Sequence, residues 1–269
     1  MNNTTRTVLS SVDSVDFKHI LAAREEMKSW RFLQLNPEVL RLPTSKTIGE
    51  DIIGPAGENL AAALYRIKQE DGYNMKEISR RLHSFLPNFV DVDVVDDIEN
   101  KQYVIVLHDI DGKEYSSRVL SEGTLRILAL CILYMDNKHQ GLLCFEEPEN
   151  GIHPFRIKVM ATLLKDLSTD FLDADMPLRQ VIVNTHSTVF VSAIYKWLTS
   201  PLVSIDFARM VVRICSIDGN KKKLLATKIV PVPKDNPLQT KIPFSEQETK
   251  STLQMMNEFM LFSDNESIH

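Results

Sequence analysis

The hydrophobic pattern divides the chain into a helical stretch, an alternating stretch and a mixed stretch. Residues 17–35, "FKHILAAREEMKSWRFLQL", read as a helix that ends before Pro37. "GPAGENLAAALYRIKQEDG" (54–72) reads as a loop feeding a second helix, and "MKEISRRLHSFLP" (75–87) as a third, stopped by Pro87. The period then changes. "FVDVDVVDDI" (89–98) alternates apolar and acidic residues, and "QYVIVLHDIDGKEYSSRVL" (102–120) places two strands around an Asp111-Gly112 turn, so an antiparallel meander is expected.

From Leu120 onward helix and strand alternate: helix 122–138, strand 142–146, helix 154–168, strand 180–184, helix 187–198. That order predicts a parallel sheet covered by helices. Two further strands, 208–218 and 223–232, follow, and an amphipathic helix over roughly 245–262 closes the chain. The expected fold class is α/β, with a mainly helical region over 1–88 and an α/β lobe over 89–269. Internal repeats and low-complexity tracts are absent from the sequence.

Composition narrows this picture only slightly. A length of 269 residues suits one large domain or two small ones, and 43% hydrophobic with 25% charged residues excludes a disordered or collagen-like chain. The formal net charge of -5 gives no global attraction to phosphate backbones. Nucleic-acid contact would need a local basic patch, and the candidates, Lys221 to Lys223 in a hairpin turn and "ISRRLH" at 78–83, read more simply as solvated surface. Cys131, Cys144 and Cys215 lie in apolar runs without CxxC spacing, as buried free thiols would. No apolar run reaches the roughly 18 residues of a membrane span, and the polar opening is no signal peptide, so a cytoplasmic location is expected.

In an open α/β sheet, ligands bind outside the carboxyl ends of the strands, and three stretches fall there or at a helix start. In "LLCFEEPENGIHP" (142–154), a buried strand delivers Glu146 and Glu147 at its end. Neighbouring strand side chains point to opposite faces, so the two carboxylates have different partners. One could hold a hard cation such as Mg²⁺, and the other could orient an attacking water. Glu149 fits such chemistry and equally a favourable acid before a helix N-terminus. "QVIVNTHSTVFVSAI" (180–194) brings His186 to the same kind of edge, as a phosphate or water contact or as a structural histidine, with Ser187 as a helix cap. In "RVLSEGTLRILALCILYM" (118–135), Ser121 and Gly123 precede an apolar helix, as an anion site or simply as a cap and turn.

Together and in this order, the three stretches resemble the ABC-type ATPases, most closely the ATPases akin to RecF, SMC and OLD proteins of the AAA-15 and AAA-21 types. "LSEGTLR" is similar to the family signature, "LLCFEEPENGIHP" to its Walker B strand and D-loop, and "VIVNTHS" to its switch-histidine strand. The resemblance spans about residues 110–195, with a softer extension back to about residue 20. It implies a P-loop NTPase core and a nucleotide-gated dimer using ATP and Mg²⁺. Glu146 would hold the metal through water, and Glu147 would position the attacking water. His186 would sense the γ-phosphate, and Ser121, Glu122 and Gly123 would meet a nucleotide bound to the other protomer. Glu149, Asn150 and Gly151 would form the contact between protomers.

Two residues depart from the family pattern: Glu146 stands where Asp is usual, and Glu122 where Gly is common. A larger departure concerns the P-loop, G-x-x-x-x-G-K-[ST]. Of nine glycines only Gly112 precedes a lysine, in a hairpin turn, and "GPAGEN" (54–59) has no lysine. The chain is therefore expected to be the carboxyl-terminal part of such an ATPase, lacking the first strands and P-loop, and to hydrolyse ATP poorly alone. A homodimer or a hetero-partner carrying the P-loop is expected, with DNA or an effector protein as the target. Two alternatives stay open: a non-catalytic dimerisation or regulatory subunit that completes another chain's ATP site, and a nucleotide-free metal hydrolase built on Glu146, Glu147, Glu149 and His186.

Overall fold

The computed structural model describes residues 9, 17–47, 49–172, 176–217 and 220–232. Contacts divide the chain into two compact units, Met1–His186 and Ser187–His269. The closing helix expected over roughly 245–262 lies outside the described residues.

The first unit is mixed α/β, as the pattern predicts. Its parallel sheet has the order β1 (Arg31–Leu33), β6 (Gly141–Glu146), β7 (Arg179–Asn184). Across it, Leu33 pairs with Phe145 and Phe145 with Val183, while Phe32, Cys144 and Ile182 form a row one residue back. Leu33, Leu143 and Phe145 are buried, whereas Phe32 is 65% and Ile182 50% exposed. One face of this sheet is core and the other carries an open apolar row.

Strand β1 corrects the sequence reading, which continued the first helix to residue 35. Helix α1 (Lys18–Ser29) stops at Trp30, whose backbone is extended (φ -60°, ψ 131°). Beyond it Leu33 and Leu35 are buried while Phe32 and Gln34 are exposed, a period of two. Parallel pairing with β6 overrides the local helical pattern here.

An antiparallel sheet forms the other layer. Strand β4 (Gln102–Asp109) pairs on one edge with β3 (Phe89–Asp97) and on the other with β2 (Thr44–Ser45) and β5 (Glu114–Ser116). Helices α3 (Leu60–Glu70) and α4 (Gly72–Phe85) pack against it, over Val92, Val94, Ile105 and Leu107. Helix α2 (Pro37–Leu40) is one turn capped by Asn36.

Between these parts runs α5 (Glu122–Met135), where every residue from Gly123 to Leu133 is buried. A helix apolar all round belongs inside a core. It touches α2, α3, α4 and α6 (Pro154–Leu167). Its carboxyl end is fixed by a buried polar knot. Asp136 accepts from His139 Nδ1 (2.9 Å), Arg66 Nη2 (2.7 Å) and the Lys138 backbone N–H (2.9 Å). Arg179, the first residue of β7, donates to the carbonyls of His139 (2.5 Å), Tyr134 (3.0 Å) and Asp136 (2.6 Å). Orphan carbonyls at the end of α5 are thereby satisfied, and the start of β7 is tied to them.

The second unit holds α7 (Thr188–Tyr195) and a long antiparallel hairpin of β8 (Asp206–Ile217) and β9 (Asn220–Pro231). Val191, Leu198 and Val232 form its small core, with Ile205 and Phe207 against it.

Candidate functional site

The parallel register decides what meets at the carboxyl end of the sheet. Glu146, last in β6, pairs with Asn184, last in β7, and Asn184 Nδ2 donates to both carboxylate oxygens (2.9 and 3.0 Å). A neutral amide, not a cation, steadies this exposed acid. Its remaining lone pairs face outward to water, a suitable position for one carboxylate of a hydrated Mg²⁺.

One residue on, the Glu147 N–H still donates to the Asn184 carbonyl (2.9 Å), and then the chain turns sharply. Glu147 adopts φ 41°, a left-handed conformation uncommon for a residue with a side chain. Strain of this kind collects at sites where a side chain must point in one direction. Here the carboxylate comes to His186, with Nε2 to Oε1 3.5 Å, at 83% exposure for the histidine and 37% for the acid. Glu146 and Glu147 do have different partners, as their adjacency predicts.

The following turn is closed by Asn150 N–H to the Glu147 carbonyl (3.1 Å) and Ile152 N–H to the Glu149 carbonyl (2.9 Å). Glu149 turns inward, where Thr185 Oγ1 donates to its Oε1. Its Oε2 is buried without a hydrogen-bond partner among the described residues. Arg126, on the second turn of α5 and 8% exposed, contributes the nearby charge. Burial pulls its guanidinium below the usual arginine range, against the opposing pull of Glu122 and Glu149, and its Nε also lacks a partner.

The start of α5 completes the group. Ser121 caps the helix, its Oγ accepting from the Thr124 N–H (3.3 Å) and lying 2.9 Å from Thr124 Oγ1. Gly123 passes so close to the acidic turn that a Cβ there would lie 3.4 Å from the Gly151 carbonyl oxygen. Gly151 has φ 73°, and a Cβ on it would sit 2.7 Å from Glu122 Oε2. Gly151 requires glycine for its left-handed backbone, whereas a Cβ on Gly123 would make an ordinary van der Waals contact with the turn. His153 ends the turn, its Nδ1 accepting from Phe155 N–H (3.4 Å) at the start of α6.

All the site residues expected from the sequence therefore fall in one neighbourhood of the first unit. Three stretches far apart in sequence are joined there: Ser121 to Gly123 against Gly151, Glu147 beside His186, and Glu149 beneath Thr185. Sequence reasoning missed Asn184, Thr185 and Arg126 as members of the group. Arg126 had a signal, being the lone charge within "GTLRILALCILYM". Asn184 is found by aligning the two parallel strands end to end. Among the described residues no three acids, histidines or cysteines converge to hold a metal.

Comparison with known proteins gives one family. The model described as "AAA domain, putative AbiEii toxin, Type IV TA system" matches residues 19–192. No curated protein matches the chain. Among solved structures, one from "Structural biochemistry of ATP-driven dimerization and DNA stimulated activation of SMC ATPases" aligns with TM-score 0.40 and 13% identity, covering 72% of this chain and 96% of that one. The Smc head domain of Pyrococcus furiosus, bound to the C-terminal domain of ScpA, aligns with TM-score 0.37 and 13% identity, over 90% of this chain and 49% of that one. The SMC head domain from Thermotoga maritima aligns with TM-score 0.33 and 14% identity, over 64% and 52%.

Proposed function

This chain belongs to the AAA_21 family, an ATPase-type module, and on that premise we propose that it forms the hydrolytic half of a nucleotide-gated dimer that drives a DNA- or partner-directed process. The observation that carries this reading is the pair Glu147 and His186, 3.5 Å apart at the ends of adjacent parallel strands. In phosphoryl transfer the protein's task is positioning and electrostatics, because the transferred group needs little covalent help. Glu147 orients the attacking water and accepts its proton, and His186 reports the γ-phosphate to the Glu147 carboxylate. Glu146, steadied by Asn184, would hold Mg²⁺, which supplies charge neutralisation to the phosphates. Ser121 and Gly123 face the nucleotide of the opposite protomer, with Glu122 drawn aside toward Gly151 and Arg126. Glu149, Asn150 and Gly151 shape the contact between protomers.

A P-loop on a further segment or partner would complete the site. The open row of Phe32, Cys144 and Ile182 supports this, since parallel sheets carry helices on both faces and Glu146 follows Cys144 two residues along the same strand. ATP turnover, measured with the P-loop segment supplied, should fall by at least about 100-fold in Glu147→Gln. Equal turnover in the two proteins would remove Glu147 from its role and with it the hydrolytic reading.

A further inference from the structure

Beside Ser121 lies a cavity of about 270 Å³ lined by Leu86, Pro87, Asn88, Phe89, Ser121, Thr124 and Arg156. Its lining joins three elements: the connection from α4 to β3, the start of α5, and the first turn of α6. Charge sets it apart from the acidic turn nearby. Arg156 is the one charged residue of the lining, and no carboxylate shares it, in a chain whose net charge is -5.

Four other arginines of this unit are engaged. Arg66 meets Asp136, Asp51 and Glu70, Arg80 and Arg81 both meet Glu77, and Arg179 holds three carbonyls. The Arg156 guanidinium has neither a hydrogen bond nor an ion pair among the described residues; only its backbone N–H is bonded, to the His153 carbonyl at 2.8 Å. Glu122, next to Ser121 in sequence, is held against Gly151 and is not part of the lining.

An arginine with its donors free, beside two hydroxyls and a side-chain amide, suits an anion with several acceptor oxygens. The amino-terminal end of α5 adds a favourable dipole. Apolar walls from Leu86, Pro87 and Phe89 lower the local dielectric and so strengthen the attraction. The volume is near the lower bound of about 300 Å³ for ligand pockets, enough for phosphoryl groups and too little for a whole nucleotide.

We infer that Arg156, with Asn88, Ser121 and Thr124, receives the terminal phosphates of a nucleotide carried by a second copy of the chain. The inference rests on the dimer reading above and adds to it a cation for the signature side. Arg156 is a binding residue here, because its donors would touch the phosphate.

Two measurements test this. The first is titration of the full chain, by calorimetry, with inorganic tripolyphosphate, which needs neither turnover nor a P-loop. Arg156→Gln should weaken binding about tenfold, and Arg156→Lys less, because the charge remains while the fork of donors is lost. Arg213→Gln, on the exposed face of the hairpin, should leave binding unchanged. No binding by the unaltered chain, equal binding by Arg156→Gln, or an equal loss in Arg213→Gln would each overturn the site. Thermal midpoints of the variants show whether the fold is kept, and Arg156→Lys carries the test if Arg156→Gln unfolds. The second is ATP-dependent self-association with the P-loop segment supplied, where Arg156→Gln should raise the ATP needed for half-association about tenfold. No change there, with tripolyphosphate binding lost, overturns the assignment to a second copy's nucleotide. Neither readout depends on Glu147, so the hydrolytic reading can fail while this one stands, and the reverse.

Discussion

Strands β6 and β7 carry a polar cluster at each end, and the two differ in every respect that energy can measure. At the start of β7, Asp136 and His139 are fully buried, Arg179 nearly so, and their charged and polar groups are matched by partners between 2.5 and 3.2 Å away. At the other end Glu146, Glu147 and His186 are open to water, Glu147 has a strained backbone, and Arg126 and Glu149 each keep an unmatched atom. Buried polar groups stabilise a fold only when satisfied. The difference teaches where the molecule is built to persist and where its polar groups are left open.

The comparison can be broken most strongly at the buried end. Asp136→Ala removes the shared acceptor of Arg66 and His139 and leaves buried donors unmatched, so denaturant unfolding should lose about 3–5 kcal/mol. A loss under about 1 kcal/mol would mean that water reaches the knot and that the two ends are not so different. The same residue should appear in the acid limb of stability. Burial pushes the Asp136 carboxyl up, but the hydrogen bonds and charges of His139 and Arg66 outweigh it and hold the carboxyl below its ordinary value. A lowered carboxyl contributes stability above the unfolded pKa of about 3.9 and loses it as pH falls through the folded value. Asp136→Asn should flatten the fall in stability below about pH 4.

A smaller effect is expected from Arg179→Met, which packs a similar stem but frees three carbonyls at the end of α5. It should cost about 2–3 kcal/mol in denaturant unfolding, with helix content little changed. The smallest effect sharpens the contrast from the open end. Glu147→Gly relieves the left-handed backbone of its side chain and should raise stability by about 0.5 kcal/mol, the strain released less the added freedom of glycine in the unfolded chain. ATP turnover in the completed enzyme should be lost in the same variant. A variant that is destabilised would show that Glu147 supports the turn and is not strained by it.

Much of this architecture was legible in the pattern of residues. Helices α3 to α6, strands β3, β4, β6 and β7 and the long hairpin all lie close to their expected bounds, because each has a strong period or a continuous apolar run. Strand β1 was not legible, since three residues at the end of a helical pattern become a strand only when β6 lies beside them. Strand β2 has two residues and no local signal at all. At the site, the acids and His186 could be placed at strand ends by position alone. Their pairings could not: Asn184 with Glu146 depends on register, and Thr185 with Glu149 on the exact course of a turn. Arg126 needed the turn of a helix to bring it under an acid more than twenty residues later in the chain.

The contact between Gly123 and Gly151 has a mechanical consequence. Two glycines meet there backbone to backbone, with no side chain between them to flex or change rotamer. At such a junction a displacement passes from backbone to backbone, with no rotamer change to absorb it. A shift of the start of α5 would be felt at the turn that carries Glu147. Replacing Gly123 with alanine would set a methyl at ordinary contact distance from the Gly151 carbonyl and tighten that linkage further.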